Sequence, residues 1–466
     1  MDPISRSDSS MSLRTRDLAS LVRPAEVHRD LYLSEDLFAL ERERLFRRVW
    51  LFVGHDSQIP NAGDYIRCEL AGQPVVMLRL VDGSVTVLHN RCAHKGGPLV
   101  SEPTGNIGRL FRCPYHGWTY HPDGRLAGMP LREGYEGSAL GQSPASQGLT
   151  RWGEVHSHRG FVFARAEGDG LGLSESMGEL LAALDRIADR SPVGRLRIAG
   201  GVIRTTIRAN WKIYLENIND SVHPVTTHAS ATFSARSVWA SASRGAEAGS
   251  AAAAGEAAPA GSEAAPPLAM RQLLPFGAGY SFFEQMGGRT LPNGHSILGT
   301  HQSLHTSYSG LGDYGDALRA AHGEARTEEV LGFSPQNVVF YPTMALKGTP
   351  QVMRVLRPVS ADCTVLEAWA FQPEGAPESL LESALLYNRQ VFSPLSIVAH
   401  DDLYLFERIQ KSLAAGPNEW VSLHRGSRSD RPDTVPADVG GVDEALLRNQ
   451  YAAWARFMAT AWGQRQ

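Results

Sequence analysis

Cysteine and histidine occur together at two places in the first third of the chain. Cys92 and His94 form a Cys-x-His pair, and Cys113 and His116 form a Cys-x-x-His pair after 18 intervening residues. Thiolates and imidazoles are ligands of zinc ions and of iron–sulfur clusters. Zinc fingers usually join cysteine with cysteine and histidine with histidine, whereas each pair here holds one of each. One iron atom can therefore take both cysteines and a second iron atom both histidines.

The residues beside these four candidates support a cluster with that division of ligands. Gly96, Gly97 and Gly117 allow backbone amides to approach and to donate hydrogen bonds to cluster sulfurs, and Trp118 follows the second pair. A 2Fe–2S cluster bound by two cysteines and two histidines is a Rieske cluster. The sequence predicts such a cluster, and a structural zinc site is the alternative.

A second group of metal-binding residue types lies further along the chain. Glu216 and Asp220 supply carboxylates, and His223 and His228 supply imidazoles. On one helix, Asp220 and His223 would share a face, but His228 would lie about 140° away from that face. Both histidines can bind one metal only if the helix ends or distorts near Pro224. From residue types alone Asp220 is a third ligand; the alternative is a polar helix end whose histidines cap carbonyl groups.

The upstream cluster changes the weight of these alternatives. An iron–sulfur cluster passes one electron at a time and needs a site at which the electrons are used. Two histidines and one carboxylate around Fe(II) leave coordination positions open for oxygen. The sequence therefore predicts a mononuclear iron site that includes His223 and His228.

The two cluster segments resemble a known protein family. Asn90–Gly97 and Phe111–Tyr120 look like the Rieske motif of the large (alpha) subunit of aromatic-ring-hydroxylating non-haem iron oxygenases, the second segment very closely. Lys95 stands where the family commonly has arginine, which leaves the ligands intact. The resemblance is strong over residues 35–230 and weaker over residues 330–425.

This resemblance implies roles that the residue types leave open. It implies that Asp220 is a catalytic bridge between the two metal sites, joining His223 to His116 of a neighbouring subunit. It also implies that the third iron ligand comes much later in the chain. Asp402 is the implied ligand, and the adjacent Asp401 is its competitor.

The resemblance also implies an activity and partners. A terminal oxygenase of this family takes O2, an aromatic small molecule and electrons that a reductase or ferredoxin relays from NAD(P)H, and it hydroxylates the ring in the catabolism of aromatic hydrocarbons. We expect cis-dihydroxylation by a homotrimer, or by an α3β3 assembly with a small β subunit. Monooxygenation and dealkylation are alternatives within the family. A Rieske electron carrier and a zinc-stabilised structural protein are alternatives outside it, and the roughly 300 residues after the cluster argue against a carrier.

Asn217, Asn337 and Phe392 are expected to line the substrate pocket. For Phe392, the spacing to Asp402 resembles that of a pocket phenylalanine of the family. Further apolar walls are expected from three places: Phe276–Phe283, Asn337–Leu346, and Leu395 with Ile397.

Two arginines, Arg354 and Arg357, are candidates to hold a substrate carboxylate, although strand arginines are commonly exposed or ion-paired. Residues 389–397 and 401–406 look most like the subgroup that acts on aromatic acids. An aromatic carboxylic acid is therefore the expected substrate class.

The elements that position these residues suggest two domains after an N-terminal segment. Residues 1–49 are expected to pack on the core, with an amphipathic helix over 34–49. Residues 50–167 alternate apolar and polar positions between Asp-Gly turns, which predicts a small antiparallel β domain that holds the Rieske cluster. Residues 168–466 form the predicted catalytic iron domain.

The predicted catalytic domain combines helices and an antiparallel sheet. Helices are expected over 173–188 and 378–413, and strands over 196–209, 337–346, 351–356 and 364–372. The fold class is therefore α+β, with a long C-terminal helix against the sheet as in helix-grip folds. Residues 237–267 are rich in alanine and glycine and are expected to form a flexible insertion near the active-site entrance.

Composition excludes several classes of partner. The 466 residues carry a net charge of −4, so no basic excess is available to neutralise nucleic acid or an anionic membrane. The N-terminus lacks the apolar core of a signal peptide, and no stretch approaches 18 consecutive apolar residues. Four cysteines are too few for a disulfide scaffold in a chain of this size. A cytoplasmic location is expected.

Overall fold

The computed structural model describes residues 18–142, 147–167, 170–238, 267–305, 311–428 and 433–459. The expected flexible insertion, residues 237–267, lies outside the described residues except at its two ends, as do the first 17 residues of the expected N-terminal segment. None of the helices in the described part of the chain has both the length and the apolar character that crossing a bilayer requires.

The N-terminal segment is a series of short elements. They are a 3-10 turn at Leu18–Leu21, β1 (Val22–Arg23), β2 (Glu26–His28), α1 (Asp30–Leu33), α2 (Glu35–Glu41) and a π-helical turn at Arg42–Phe46. The hydroxyl of Ser34 accepts a hydrogen bond from Leu37 N at 3.2 Å and caps α2, so the predicted helix begins where expected. Its α-helical part ends at Glu41, which accepts a hydrogen bond from Trp454 of the last helix. The segment therefore packs against the last helix of the chain.

The region that carries the cluster candidates is built from three small antiparallel sheets. In spatial order they are β6-β5-β4-β7, β10-β9-β8 and β11-β12-β3. The strands are β3 (Leu51–His55), β4 (Asp64–Leu70), β5 (Gln73–Arg79), β6 (Val85–His89), β7 (Thr104–Asn106), β8 (Phe111–Arg112), β9 (Thr119–Tyr120), β10 (Leu126–Gly128), β11 (Glu154–His158) and β12 (Phe161–Arg165).

The second region contains one eight-stranded antiparallel sheet with the spatial order β13-β19-β18-β17-β16-β15-β14-β21. Its strands are β13 (Leu196–Ile207), β14 (Gly288–Thr290), β15 (Ser296–Leu298), β16 (Asn337–Phe340), β17 (Met344–Lys347), β18 (Val352–Ser360), β19 (Cys363–Pro373) and β21 (Ala437–Val439). The remaining strand, β20 (Trp420–Ser422), pairs with β2. The α+β class with antiparallel sheets that the sequence predicted is confirmed.

One short helix, α3 (Ala139–Gln142), lies in the region that carries the cluster candidates. The helices of the second region are α4 (Leu173–Met177), α5 (Leu180–Ala188), α6 (Trp211–Asn219), α7 (His223–Thr227), α8 (Leu268–Leu273), α9 (Tyr280–Met286), α10 (Gly312–His322), α11 (Glu324–Gly332), α12 (Glu378–Tyr387), α13 (Ile397–Ser412) and α14 (Ala445–Ala459). The C-terminal part of the fold thus has helices of 16 and 15 residues, α13 and α14.

Three of the predicted continuous elements are divided in the structure. The helix over 173–188 is broken at Gly178, whose φ of 50° interrupts helical geometry. The helix over 378–413 is broken between a π-helical turn at Asn388–Phe392 and α13, where Pro394 lies, because proline cannot supply a helical amide. The strand over 337–346 is two strands joined through Tyr341 and Pro342.

The register assigns the side chains of the large sheet to two faces. Leu346 pairs with both Val338 and Met353, so these three side chains share one face. That face packs against α5 and against aromatic residues of the first region. The opposite face carries residues such as Val352 and packs against the segment from α12 to α13. The candidate iron ligands lie on this second side.

Candidate metal centres and the cavity beside them

The four cluster candidates lie in two turns with the same hydrogen-bond pattern. Gly96 N donates to Cys92 O at 3.0 Å, and Gly117 N donates to Cys113 O at 3.0 Å. The two glycines have φ values of 75° and 71°, a left-handed conformation that a side chain would strain. A Cβ on Gly97 would lie 3.5 Å from the Sγ of Cys113, so the first turn lies against the thiol of the second.

The two histidines of these turns face each other. The ring centroids of His94 and His116 are 4.6 Å apart, and His94 also stacks on Trp118 at 4.7 Å. Burial, together with the positive charges of His116 and Lys95, lowers the pKa of His94 and favours the neutral imidazole that binds metals. The Nδ1 of His94 is buried without a hydrogen-bond partner in the described chain, and both thiols are buried. This donor set fits a two-iron cluster.

The second centre is formed where two helices meet. The helix α6 ends at Asn219, and Asp220 adopts an extended conformation before α7 begins at His223. The carboxylate of Asp220 accepts hydrogen bonds from Val222 N at 2.9 Å and from His223 N at 3.0 Å. These bonds offer the backbone an alternative to continuing the helix. The predicted interruption therefore exists, but it lies at Asp220, and Pro224 lies in the first turn of α7.

Three candidate iron ligands converge at this break. His223, His228 and Asp402 each offer a ligand atom, and these atoms lie within 4.8 Å of one another. The Nε2 of His228 is 3.5 Å from Oδ1 of Asp402. Asn217 lies between His223 and Asp402. Its Nδ2 is 3.0 Å from Nε2 of His223 and 3.3 Å from Oδ1 of Asp402. Two imidazoles and one carboxylate in this arrangement fit ferrous iron with open positions.

The neighbouring aspartate, Asp401, lies on the other side of His228. Its Oδ2 is 4.0 Å from Nδ1 of His228 and accepts a hydrogen bond from the hydroxyl of Ser230 at 3.1 Å. Asp401 does not belong to the group of three residues, His223, His228 and Asp402, whose ligand atoms lie close together. The geometry therefore favours Asp402 over Asp401 as the third ligand.

Asp220 contacts the ring nitrogen of His223 that faces away from the other candidate ligands. Its Oδ2 is 3.2 Å from Nδ1 of His223, and its Oδ1 accepts from Arg425 at 3.2 Å. Burial raises the pKa of Asp220, but hydrogen bonds from the ring and amide of His223 and from Val222 N outweigh burial, and the pKa is lowered overall. An ionised Asp220 keeps the ring proton of His223 on Nδ1, which leaves the lone pair of Nε2 facing the other candidate ligands.

A cavity opens beside these ligands, between the sheet and helices α6, α7 and α13, and its empty space together with its open mouth measures about 710 Å³. Its wall is largely apolar and includes Phe276, Phe283, Met286, Leu298, Val391 and Val398. The three residues predicted for the pocket, Asn217, Asn337 and Phe392, also line it. The apolar wall suits a small aromatic molecule.

Other expectations for the pocket are wrong in part. Leu395 is 95% exposed and Ile397 is 38% exposed, because Leu395 lies in the turn after Pro394 and Ile397 is the first residue of α13. Arg357 pairs with Glu367 and donates to backbone carbonyls of β3, so it is a structural residue outside the cavity. Arg354, in contrast, lines the cavity.

Sequence reasoning missed several polar residues of the cavity wall, among them Lys347, Tyr387 and Thr205. The signal for Lys347 was present in the sequence. It is one of only four lysines and it ends a short strand whose other residues are apolar. Lysine is almost never fully buried unless it is paired, so a lysine in a buried strand marks a site.

Two family matches cover most of the chain. Residues 49–139 match the family described as Rieske [2Fe-2S] domain, and residues 193–460 match the ring hydroxylating alpha subunit (catalytic domain).

Characterised relatives and a solved structure resemble the chain over nearly its whole length. The N,N-dimethyl phenylurea N-demethylase subunit alpha of Sphingobium sp. (strain YBL2) is 29% identical over 437 residues, covering 88% of this chain and 85% of that protein. The anthranilate 1,2-dioxygenase large subunit of Acinetobacter baylyi is 26% identical over 447 residues, covering 93% and 89%. A naphthalene 1,2-dioxygenase structure with indole bound in the active site has a TM-score of 0.72 and 23% identity, covering 94% of each chain, which shows the shared fold.

Proposed function

Because the chain belongs to the family of ring-hydroxylating alpha subunits, we propose that it is the terminal oxygenase that adds both atoms of O2 to an aromatic substrate. The chain is an oxidoreductase with a Rieske 2Fe–2S cluster and a mononuclear non-haem iron. The observation that carries the proposal is the convergence of His223, His228 and Asp402 at the wall of the cavity. The product is a cis-diol, which requires two electrons and two protons in addition to O2 and the ring.

The proposed ligands follow from the donor geometry. Residues 50–167 would hold the cluster through Cys92, His94, Cys113 and His116, and residues 168–466 would hold the iron through His223, His228 and Asp402. When bound, the cluster stores and relays electrons and the iron activates O2.

The chain's own residues then orient the reaction. Asp220 holds His223 in one tautomer, and its ionised carboxylate offers a hydrogen-bonded connection toward His116 of a neighbouring subunit. The side-chain amide of Asn217 lies against Nε2 of His223 and Oδ1 of Asp402, so it would border the bound iron. The apolar wall around Phe392 excludes water and holds the aromatic ring beside the ligands.

The proposed substrate class is an aromatic carboxylic acid, and the proposed electron donor is a reductase or ferredoxin that draws on NAD(P)H. The resemblance to an anthranilate 1,2-dioxygenase large subunit supports the substrate class. The similarly close resemblance to an N-demethylase subunit supports a second candidate, oxidative N-dealkylation in the same cavity.

The metal content tests the site. Protein purified without oxygen should contain about three irons and about two acid-labile sulfides per chain. Asp402→Ala should lose about one iron and keep the cluster spectrum, whereas the matched variant Asp401→Ala should keep its full iron content. Equal iron loss in both variants would contradict the assignment of Asp402, and an absence of sulfide would contradict the cluster.

A single-turnover reaction tests the chemistry. Reduced protein is exposed to ¹⁸O2 with benzoate or with N,N-dimethyl phenylurea as the probe. Dihydroxylation gives a product with two labelled oxygens, whereas dealkylation releases formaldehyde and an N-demethylated urea. A labelled diol from benzoate would support the leading proposal, and demethylation alone would support the second candidate. No product from either probe or from toluene, with iron and cluster intact, would contradict both.

A further inference from the structure

Two cations project into the cavity from adjacent strands of the large sheet. Lys347 on β17 pairs with Val352, and Arg354 follows two residues later on β18, so both side chains leave the same face. Both line the cavity, and they are only 3% and 5% exposed.

Neither cation has a carboxylate at ion-pair distance in the parts of the chain that the structure describes. Lys347 Nζ donates to the carbonyl of Gln336 at 3.2 Å. Arg354 donates to the side-chain oxygen of Asn337 and to Tyr214, while its Nε has no partner among the described residues. A lysine ammonium has three donors and an arginine guanidinium five. Both groups therefore keep donors that an incoming anion can accept.

The surroundings penalise positive charge in this part of the cavity. Burial, followed by the charge of Arg354, lowers the pKa of Lys347 well below its usual range. The nearby His305 has its pKa lowered to about 3, first by burial and then by the charge of Lys347. Buried charges are costly unless they are paired. A bound anion would supply the missing partner.

Aromatic side chains lie beside both cations. The guanidinium of Arg354 is 4.8 Å from the ring centroid of Phe392, and the Nζ of Lys347 is 5.7 Å from that of Tyr387. A ligand that fills this part of the cavity meets positive charge and aromatic faces together. An aromatic acid has both matching features in one small molecule.

We propose that Lys347 and Arg354 form a subsite that binds the carboxylate of an aromatic acid while its ring lies along Phe392 and Tyr387 toward the iron ligands. This inference deepens the proposed function and rests on it only in taking the cavity as the substrate pocket. The subsite selects acids over neutral aromatics of the same shape.

Binding affinity tests the subsite without turnover. Dissociation constants for benzoate, benzamide and benzenesulfonate are measured by calorimetry on anaerobic, metal-loaded protein. The unaltered protein should bind benzoate at least about tenfold more tightly than benzamide. Lys347→Met should weaken benzoate binding by about 10- to 100-fold and change benzamide binding by less than about threefold. Arg354→Met should act in the same direction.

Control variants distinguish the loss of this subsite from a general loss of folded, metal-loaded protein. Lys411→Met replaces an exposed lysine on α13 and should leave all three affinities unchanged. Iron content, cluster spectrum and melting temperature are measured on every variant, and Lys347→Gln replaces Lys347→Met if the latter fails to fold.

The outcomes distinguish the subsite from the oxygenase function. Equal affinity of the unaltered protein for benzoate and benzamide would overturn the subsite, as would full benzoate affinity in a metal-loaded Lys347→Met. Tighter binding of benzenesulfonate than of benzoate would overturn the choice of a carboxylate. In each of these cases oxygen incorporation into toluene would leave the oxygenase function standing, whereas no product from any probe would contradict that function whatever the affinities.

Discussion

At the residue scale, the buried carboxyl of Glu216 on α6 gives a prediction about pH. Tyr32 donates to its Oε1 at 2.7 Å, and Tyr451 also donates to it. Burial raises the pKa of Glu216 to about 7, against the lowering effect of both tyrosines and of Lys212. In the unfolded chain the same group has its usual pKa of 4.5. Between these two values the folded protein holds a proton that the unfolded chain releases.

Stability should therefore fall as pH rises from 4.5 to 7, by about 1.4 kcal/mol per pH unit for this group, and by about 3 kcal/mol in all. Glu216→Gln removes the titration, so its melting temperature relative to the unaltered protein should rise steadily from pH 5 to pH 7. Scanning calorimetry at several pH values measures this difference. Glu43→Gln, which alters an exposed carboxylate, should show a constant difference. A constant difference for Glu216→Gln would contradict the raised pKa.

Residue types identified the groups that lie together at the two candidate metal centres better than they identified the cavity wall. The four cluster candidates and the two histidines are rare residue types at short spacings, and chemistry limits what such groups can do. Asp402 needed the family resemblance, because nothing local distinguishes it from Asp401. The inward direction of Lys347 depends on the register of a sheet whose strands are distant in sequence, so only the structure could supply it.

At the element scale, α6 is held in place by a buried ion pair. The Nζ of Lys212 lies 2.6 Å from Oε1 of Glu41 on α2, and the two side chains are 2% and 0% exposed. Trp211 and Trp454 also donate to this carboxylate, at 2.9 and 2.6 Å. Because α6 carries Asn217 and leads directly into Asp220, this anchor positions one side of the iron site.

Breaking this pair should destabilise the fold strongly. Lys212→Met leaves the charge of Glu41 buried without its cation, which should cost about 3–5 kcal/mol. The double variant Glu41→Leu with Lys212→Met should recover part of that loss, because neither charge then remains buried alone. Chemical unfolding of the three proteins measures the effect, with the exposed Lys411→Met expected to lie within about 0.5 kcal/mol of the unaltered protein. A Lys212→Met protein as stable as that control would contradict the anchoring role.

The sequence located several elements around the candidate iron site but joined some that are separate. Periodicity identified β13, β16, β17, β18 and β19 of the large sheet and both parts of the segment 378–413, but it did not identify the short strands β14, β15 and β21. It did not show the breaks, because helical periodicity on the two sides of Pro394 is similar. At Asp220 the break depends on hydrogen bonds from two amides to its carboxylate, which compete with helix continuation only when the tertiary structure favours them.

At the scale of the whole molecule, the two predicted metal centres are exposed to different degrees. His116 and the adjacent Tyr115 lie at the surface, and Tyr115 is 68% exposed. The side chain of Asp220 is 21% exposed, so its carboxylate is partly accessible. Within the described chain, no hydrogen bond joins His116 to Asp220. This arrangement is what an electron path between neighbouring subunits of a ring would require.

A mixed-subunit experiment tests that path. Cys113→Ser should remove the cluster and Asp402→Ala should remove the iron, so each variant alone should form no product from benzoate in a single turnover. If electrons cross between subunits, mixed assemblies from co-expression of the two variants should regain activity, because some subunits with iron then adjoin subunits with a cluster. Random mixing in a closed ring should restore about a quarter of the unaltered activity. Inactive mixed assemblies with the expected metal content would mean that electrons pass only within one chain.

A third substitution tests the role of Asp220 in the same assemblies. Adding Asp220→Asn to the Asp402→Ala subunit should not change the restored fraction of activity. Adding it to the Cys113→Ser subunit, which holds the working iron, should abolish that activity.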